Sequence, residues 1–280
     1  MPTSIKLGAI TNSWRNQLGE SDLSELIKLV SDEGAQHIEL RQTCLGTYES
    51  GEGLDWELNM DGIAKIVASF PNLKFNLAVA STCLTTKIDP KGKFFQGALA
   101  GAKLVGKDNP HLRTVDPSAD VADWSTPEEI SPDSMQLVDL VKEAASQGVV
   151  ISIENSGLTI SAMHVLVNAV RAQLKPEEKI YIGICPDPTN QLRRHPDSDP
   201  LKDLNDLELD MIKLVHYKQA QSGTALPIVT DGDIDCDEMV NILDAKGYGG
   251  MGILEIPSDD NVIDNFKISM NYLKNIPSRN

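Results

Sequence analysis

The fold is decided by four short apolar runs in the second half of the chain, each of which ends in a residue that can bind a metal. They are residues 150–154 (VISIE), 180–187 (IYIGICPD), 212–216 (IKLVH) and 251–255 (MGILE). Runs of four to eight residues that are rich in Ile, Val and Leu and bounded by Gly, Pro, Asn or Asp are typical of buried strands in a parallel sheet. Each predicted strand therefore carries a polar residue at its C-terminal end.

These four polar residues recur at the spacing of one strand plus one helix. Glu154, Asp187, His216 and Glu255 are separated by 33, 29 and 39 positions. In a closed (β/α)8 barrel the C-terminal strand ends converge on one mouth, so residues that are distant in sequence would meet there. Within each run, the residues that share the face of the polar one are small or apolar, as the interior of a barrel requires.

The rest of the chain supplies the other units of such a barrel. Predicted strands cover residues 5–11, 35–40, 73–80, 112–115, 150–154, 180–187, 212–216 and 251–255. Apolar stripes at helical spacing lie at 21–34, around 63–67, and at 94–105, 135–148, 159–174, 204–211, 237–246 and 262–273. Three polar segments, 117–132, 188–200 and 219–235, are predicted to be long loops at the mouth. The predicted fold class is therefore α/β, a (β/α)8 TIM barrel that forms a single domain over residues 1–280.

Composition and charge exclude several classes of protein. The length of 280 residues is close to the roughly 250 that are typical of this barrel. No apolar run approaches the roughly 18 residues of a membrane span, and the net charge of −16 opposes binding to nucleic acid. The four cysteines are dispersed and no signal peptide is visible, so we expect a cytoplasmic protein without disulfides. The sequence leaves a homo-oligomer open.

Three carboxylates and one imidazole at a single mouth predict a metal site. Crowded carboxylates repel one another and would hold protons unless a cation joins them. Glu154, Asp187, His216 and Glu255 are therefore the predicted ligands of one divalent ion. Three oxygen ligands and one nitrogen ligand favour Mn²⁺, Mg²⁺ or Co²⁺ over Zn²⁺, whose structural sites prefer thiolates and imidazoles.

Other polar and aromatic residues at the predicted mouth are candidates for contact with a substrate. Trp14 would stack on a ring of the substrate or, alternatively, close the barrel top by packing. Glu39 and Arg41 lie near the same mouth, and Arg41 and Arg113 would bind substrate oxygens or balance neighbouring carboxylates. Lys218 shares a strand face with the metal-site histidine, so its ammonium would hold a developing oxyanion as a catalytic group, or would pair with a ligand carboxylate.

The motifs in this order resemble those of the xylose-isomerase-like TIM barrels, a superfamily of sugar isomerases and epimerases, inosose dehydratases and endonuclease-IV-type enzymes. The resemblance spans nearly the whole chain. It is carried by residues 34–40 (GAQHIEL), 153–155 (IEN), 187–190 (DPTN), 216–219 (HYKQ), 231–235 (DGDID), 247–250 (GYGG) and 254–255 (LE).

The resemblance implies that the four polar residues bind one divalent metal and that Glu154 and Glu255 also move a proton on opposite sides of a sugar carbon. Ketose 3-epimerases of this family usually carry His where this chain has Asn190, which we assign as a substrate ligand, and Arg shortly after the strand-seven His. The family's frequent His-x-Lys-Asp motif appears here with Gln219 in place of Asp. The endonuclease branch needs more mouth histidines than this chain offers.

The sequence thus predicts a metal-dependent isomerase or epimerase that acts on a hydroxy-ketone of a sugar or related polyol through proton transfer next to the carbonyl. A ligand carboxylate with a free oxygen can act as the base for that step. Two alternatives stay open. One is a metal-dependent lyase or dehydratase of a cyclitol or keto-sugar, and the other is a barrel that binds the metal without turnover.

Overall fold

The computed structural model describes residues 4–119 and 123–277, and it contains eight parallel strands that correspond to the eight predicted ones. They are β1 (Lys6–Ile10), β2 (His37–Arg41), β3 (Lys74–Ala80), β4 (His111–Val115), β5 (Val150–Glu154), β6 (Ile182–Cys185), β7 (Leu214–Tyr217) and β8 (Met251–Leu254). The order in the sheet is β6-β5-β4-β3-β2-β1-β8-β7. Sequential strands are therefore neighbours, as in a barrel.

The sheet is closed between β6 and β7 by bonds outside the regular ladder. Ile184 forms a parallel bridge with Ile212. The backbone N of Lys213 donates to the carbonyl of Ile184 at 3.0 Å, and that of His216 donates to Pro186 at 3.1 Å. The predicted (β/α)8 barrel is confirmed.

Helices follow the strands along the chain and pack against the outside of the sheet. In the described residues they are α1 (Leu23–Asp32), α2 (Met60–Ser69), α3 (Lys93–Gly106), α4 (Leu137–Ser146), α5 (Ile160–Ala172), α6 (Pro188–Arg194), α7 (Pro200–Asp206), α8 (Cys236–Ala245) and α9 (Val262–Lys274). The start of α1 has a reciprocal cap, in which Asp22 accepts from the backbone of Ser24 and Glu25 accepts from that of Asp22. None of the described helices combines the length and the apolar character that a membrane span requires.

Two cores of different character hold the barrel together. The larger one fills the space between the strands and the surrounding helices. Inside the barrel a small apolar cluster of Ile10, Cys185, Leu214 and Ile253 covers one side. The other side of the interior is polar and buried, and its members are His37, Glu39, Asn76, His111, Arg113 and Ser152. The interior of this barrel is thus partly a hydrogen-bonded network.

The polar segment 188–200 is not a loop, which corrects the prediction. It begins with α6 and ends at the first residue of α7. Asp187 caps α6 by accepting a hydrogen bond from the backbone of Asn190, and Pro188 occupies the first helical position. Pro is favoured there because its fixed φ suits a helix and its missing N–H would be unpaired anyway. The polar composition concealed a standard helix start.

The other two segments are irregular over most of their length. Residues 219–235 contain only a short antiparallel pair, Ala220–Gln221 with Thr224–Ala225. Residues 117–132 contain one turn of 3-10 helix, Pro127–Glu129, and positions 120–122 lie outside the described residues. The predicted helix at 204–211 is also shorter than expected, because α7 ends at Asp206 and a 3-10 turn, Leu209–Met211, follows.

Gly8 is expected to be required for the spacing of β1 and β2. A Cβ at this position would lie 2.2 Å from the backbone oxygen of His37, which cannot move without separating the strands. Gly8→Ala should therefore lower the free energy of unfolding by about 1–3 kcal/mol in urea denaturation. Gly19→Ala is the control, because no atom of the described residues lies within 4 Å of its Cβ. Equal stability of the two variants would contradict this account of β1 packing.

Candidate metal centre

The four predicted metal ligands lie at the C-terminal ends of four neighbouring strands. Glu154 ends β5, Asp187 follows β6, His216 lies in β7 and Glu255 follows β8. One donor atom from each residue lies within 4.8 Å of the other three. Ligands on opposite sides of an ion at roughly 2.4 Å are about 4.8 Å apart, so this separation fits a single divalent cation. The structure brings together all four residues that the sequence placed at the mouth.

Asp187 is fixed by bonds that leave one carboxylate oxygen for the site. Its backbone N donates to Asn155 Oδ1 at 2.7 Å, and Asn155 Nδ2 donates to its carbonyl at 3.0 Å. Asp187 Oδ1 accepts from the backbone of Asn190 at 2.8 Å. Asp187 Oδ2 is buried and accepts no hydrogen bond of regular geometry from the described residues. This fixed, buried oxygen lies 2.8 Å from the Lys218 ammonium and is suited to a cation.

Glu154 is held by two side chains that the sequence proposed as substrate ligands. Arg113 Nη1 donates to Glu154 Oε2 at 2.7 Å, and Asn190 Nδ2 donates to Oε1 at 2.8 Å. Arg113 also donates to Glu39 Oε1, from Nη2 at 2.6 Å and from Nε at 3.0 Å. Arg113 is only 1% exposed, so in this structure it orders two carboxylates and does not reach a substrate. This corrects its assignment as a substrate ligand.

Glu255 is positioned by Asn12, a residue that the sequence analysis missed. Asn12 Nδ2 donates to Glu255 Oε1 at 2.7 Å. Glu255 Oε2 is buried without a regular hydrogen bond and lies 2.9 Å from His216 Nδ1. Asn12 comes two residues after the end of β1, and the rule that strand ends converge on the mouth would have identified it.

His216 is placed between the ligand carboxylates and a buried glutamate. Its Nδ1 lies 3.6 Å from Glu154 Oε1 and 3.7 Å from Asp187 Oδ2. Its Nε2 lies 3.3 Å from Glu39 Oε1. A carboxylate behind a metal-binding histidine commonly fixes its tautomer and orientation. Glu39 is 0% exposed, so it positions His216 and Arg113, which corrects its assignment as a substrate ligand.

Lys218 reaches into the centre of the carboxylate group. Its Nζ lies 2.8 Å from Asp187 Oδ2, 2.8 Å from Glu255 Oε2 and 3.5 Å from Glu154 Oε1. The contacts with Asp187 and Glu255 are short ion pairs between the ammonium and two ligand carboxylates. The sequence allows two interpretations of Lys218, a catalytic group that holds an oxyanion and a partner of a ligand carboxylate. Lys218 pairs with ligand carboxylates and also lies beside the mouth, so the two interpretations are compatible.

The carboxylates of the site are strongly acidic. Burial alone would raise the pKa of Glu154, but the positive charges of Arg113, Lys218 and His216 outweigh it and lower the pKa to about 2. Burial would likewise raise the pKa of Glu255, and Lys218 and His216 lower it well below its ordinary value. Both carboxylates are therefore charged at neutral pH.

The charges in contact at this site fit a divalent ion. Burial would lower the pKa of His216, but nearby negative groups, with Glu154 among them, raise it well above 6.5, so the imidazole is cationic unless a metal replaces its proton. Lys218 also keeps its proton, because Asp187 and Glu255 raise its pKa against the effect of burial. The carboxylates of Glu39, Glu154, Asp187 and Glu255 carry four negative charges, and Lys218 and Arg113 carry two positive ones. Two negative charges therefore remain once His216 is neutral. A divalent cation balances that remainder.

Trp14 and Arg41 have different relations to the mouth. Trp14 is 0% exposed and belongs to the core between strands and helices, so it closes the barrel top by packing and is not free to stack on a sugar. Arg41 is half-buried, and its Nη1 donates to the carbonyl of Gln42 at 2.8 Å. Burial and the charge of Arg113 lower the pKa of Arg41, whereas nearby negative groups, with Glu154 and Glu255 among them, raise it.

A cavity of about 360 Å³ opens beside Glu255, the ligand candidate that its lining includes. Its lining includes Asn12, Arg15, Arg193, Lys218 and Glu255. Carboxylate, ammonium, amide and guanidinium groups therefore face one space of the size of a small-molecule site. The two arginines at its rim, Arg15 and Arg193, are exposed.

Gln219, which stands where the His-x-Lys-Asp motif has Asp, has a structural role. Its Nε2 donates to the carbonyl of Ile234 at 2.7 Å, and its Oε1 accepts from the backbone of Ile234 at 3.0 Å and of Ala220 at 3.1 Å. It is 2% exposed. The side chain thus closes the base of the loop after β7.

No protein-family model matches the chain, and no curated protein matches it in sequence. Solved structures do match it in fold. A structure of the IolI protein with a bound zinc atom is 18% identical, with a TM-score of 0.66 over 96% of this chain and 95% of that one. The probable 3-DHS dehydratase AsbF from Bacillus anthracis is 14% identical, with a TM-score of 0.72 over 98% and 100%.

A third structure is D-allulose 3-epimerase from Methylomonas sp. in complex with D-allulose. It is 15% identical, with a TM-score of 0.69 over 99% of this chain and 98% of that one. A xylose isomerase domain protein from Salmonella typhimurium covers 97% of this chain at 12% identity and a TM-score of 0.66. At sequence identities this low, the matches show a shared fold and do not by themselves show a shared activity. The chain has the fold of the xylose-isomerase-like TIM barrels.

Proposed function

We propose that this protein is a divalent-metal-dependent isomerase or epimerase that moves a proton next to the carbonyl of a sugar or related polyol. The observation that supports it best is the convergence of Glu154, Asp187, His216 and Glu255 next to a cavity that Glu255 and Lys218 line. Three carboxylates and one imidazole would hold the metal, and a bound divalent ion would polarise the carbonyl and the adjacent hydroxyl of the substrate. IolI, which contains zinc, has the same fold.

Glu255 is the better placed of the two proposed proton carriers. It lines the cavity, and the Asn12 amide fixes its orientation by donating a hydrogen bond to Oε1. Glu154 is more deeply buried, and both of its oxygens already accept hydrogen bonds, from Arg113 and Asn190. In an epimerisation one carboxylate removes the proton from the carbon beside the carbonyl, and the other returns a proton to the opposite face.

Lys218 would stabilise the negative charge that develops on the substrate oxygen when the proton leaves. Its ammonium lies at the base of the cavity and stays charged. A fixed positive charge in a site shielded from water lowers the energy of an oxyanion more than it would in solution. Asn190, Arg41 and the rim arginines would orient the hydroxyl groups or an acidic group of the substrate.

Dehydration is the second candidate. Arg15 and Arg193 at the rim favour a substrate with a negative charge, and AsbF, a probable dehydratase, has the same fold. Loss of water starts with the same proton abstraction, so the same residues serve both reactions. A barrel that binds the metal without turnover is the third candidate.

The functional assay is incorporation of solvent deuterium into a panel of ketoses, inososes and acidic keto-cyclitols, with the metal-loaded protein. Exchange with retention of the carbon skeleton and hydroxyl groups supports the isomerase or epimerase. Release of water, followed by the ultraviolet absorbance of an unsaturated ketone, supports the dehydratase. Metal binding without exchange in any compound would support the non-catalytic barrel.

Metal affinity should rise with pH between about 5 and 7. In this range the carboxylates are charged, while His216 must lose a proton before it can coordinate, so one proton leaves per ion and affinity increases about tenfold per pH unit. Calorimetry with Mn²⁺ in buffers of different ionisation enthalpy counts that proton. His216→Ala should abolish binding, whereas His164→Ala, a histidine that pairs with Glu208 on the surface, should not. Binding that is independent of pH would refute this ligand set.

Glu255→Gln and Glu154→Gln should each reduce turnover by about 10²–10⁴-fold while retaining much of the metal affinity. An amide oxygen can still coordinate, but it cannot accept the proton. Glu33→Gln is the control, because this glutamate pairs with Lys267 away from the mouth. Full deuterium exchange in both site variants would exclude them as the proton carriers.

Lys218→Met should lower the rate by about 10²–10³-fold without weakening metal binding. The substitution removes a cation that lies 2.8 Å from two ligand oxygens, so metal affinity should hold or increase. Lys142→Met, on the outer face of α4, serves as the control. Unchanged turnover in Lys218→Met would leave the lysine as a charge partner of the carboxylates only.

A further inference from the structure

A second cavity lies at the opposite end of the barrel from the metal centre. Its volume is about 350 Å³. Five strands contribute their first residues to its lining, namely Lys6 of β1, His37 of β2, Lys74 of β3, His111 of β4 and Met251 of β8. The metal centre is built on the C-terminal strand ends, so the two cavities are separated by the length of the barrel interior. We call the second one the basal cavity.

The basal cavity is rich in positive charge. Lysines at positions 6, 74, 107 and 213 line it, and Asp108 is the acidic residue among its described lining. Lys6, Lys74 and Lys107 form no ion pair within 4 Å with the described part of the chain. A protein with a net charge of −16 therefore concentrates unpaired cations at one concave site. Mutual repulsion of the lysines would be relieved by an anion.

His37 supplies a buried polar atom without a partner at the same site. Its Nε2 lies 2.6 Å from Asn76 Oδ1, and Asn76 Nδ2 donates to Glu39 Oε2 at 2.7 Å. Asn76 Oδ1 is therefore an acceptor, and Nε2 carries the proton of the neutral imidazole. Nδ1 is left as an acceptor, and it is buried with no hydrogen-bond partner in the described residues. This nitrogen is enclosed by protein atoms, so His37 lines the basal cavity without offering that acceptor to a ligand.

We propose that the basal cavity binds a small anion, such as a phosphorylated or carboxylated compound of a few carbons. The lysines would bind the anionic group as point charges. The volume is at the lower end of the range of roughly 300–1,000 Å³ for small-molecule sites, which suits a compound of a few carbons. This site is independent of the proposed reaction, because it shares no lining residue with the mouth cavity.

The test is calorimetric titration of the full chain with inorganic phosphate, glycerol 3-phosphate, glycerate and uncharged glycerol. We expect saturable binding of at least one of the three anions, and none of glycerol. The two hydroxylated anions distinguish a phosphate-bearing ligand from a carboxylate-bearing one. Failure of all of them to saturate would overturn the proposal.

Variants locate the binding. Lys6→Gln combined with Lys74→Gln should weaken it about tenfold or more, because two charge-assisted contacts are lost from exposed side chains that the fold does not need. Lys142→Gln, on α4, should have no effect. Arg15→Gln combined with Arg193→Gln tests the mouth of the barrel, and binding lost only in that variant would assign the anion to the mouth and refute the basal site. Glu255→Gln should leave anion binding unchanged even if it abolishes turnover.

Discussion

The buried ion pair network around Arg113 is the interaction on which the candidate site depends. Its guanidinium joins Glu39 on one side and Glu154 on the other, in a region with almost no exposure to solvent. Burying these charges is favourable only because each meets its partner with good geometry. Glu39 in turn lies behind His216, and Glu154 is one of the metal-ligand candidates, so one arginine sets the positions of groups on both sides of the centre.

The same network explains why the barrel interior is polar on one side. His37, Asn76 and Glu39 form a hydrogen-bonded series from the N-terminal strand ends to the neighbourhood of His216. The opposite interior wall is an apolar cluster of four residues. The apolar wall supplies packing, while the polar wall orients ligands. Each member of the polar wall depends on the next, because a buried polar group that loses its hydrogen-bond partner lowers the stability of the fold.

The two ends of the barrel differ in charge for a structural reason. The C-terminal strand ends carry the carboxylates, and Lys218 and His216 compensate them. The N-terminal ends and the turns beside them line the basal cavity with four lysines against one acid, Asp108, among the described lining residues. In a parallel barrel the residues at one end of all strands meet, so residues from separate units add up to a field of one sign.

The sequence by itself determined the barrel and the four converging residues, because strand patterning, unit spacing and the common direction of parallel strands are local properties that repeat along the chain. It mistook the capped helix at Pro188 for a loop and did not find Asn12. It also took Arg113, Glu39 and Trp14 as candidates for substrate contact, although they are buried. Whether a polar residue at a strand end faces the cavity or the residue beside it depends on side-chain contacts between distant units. Only the tertiary structure decides those contacts, since closure of the barrel brings β2, β4 and β5 together around one guanidinium.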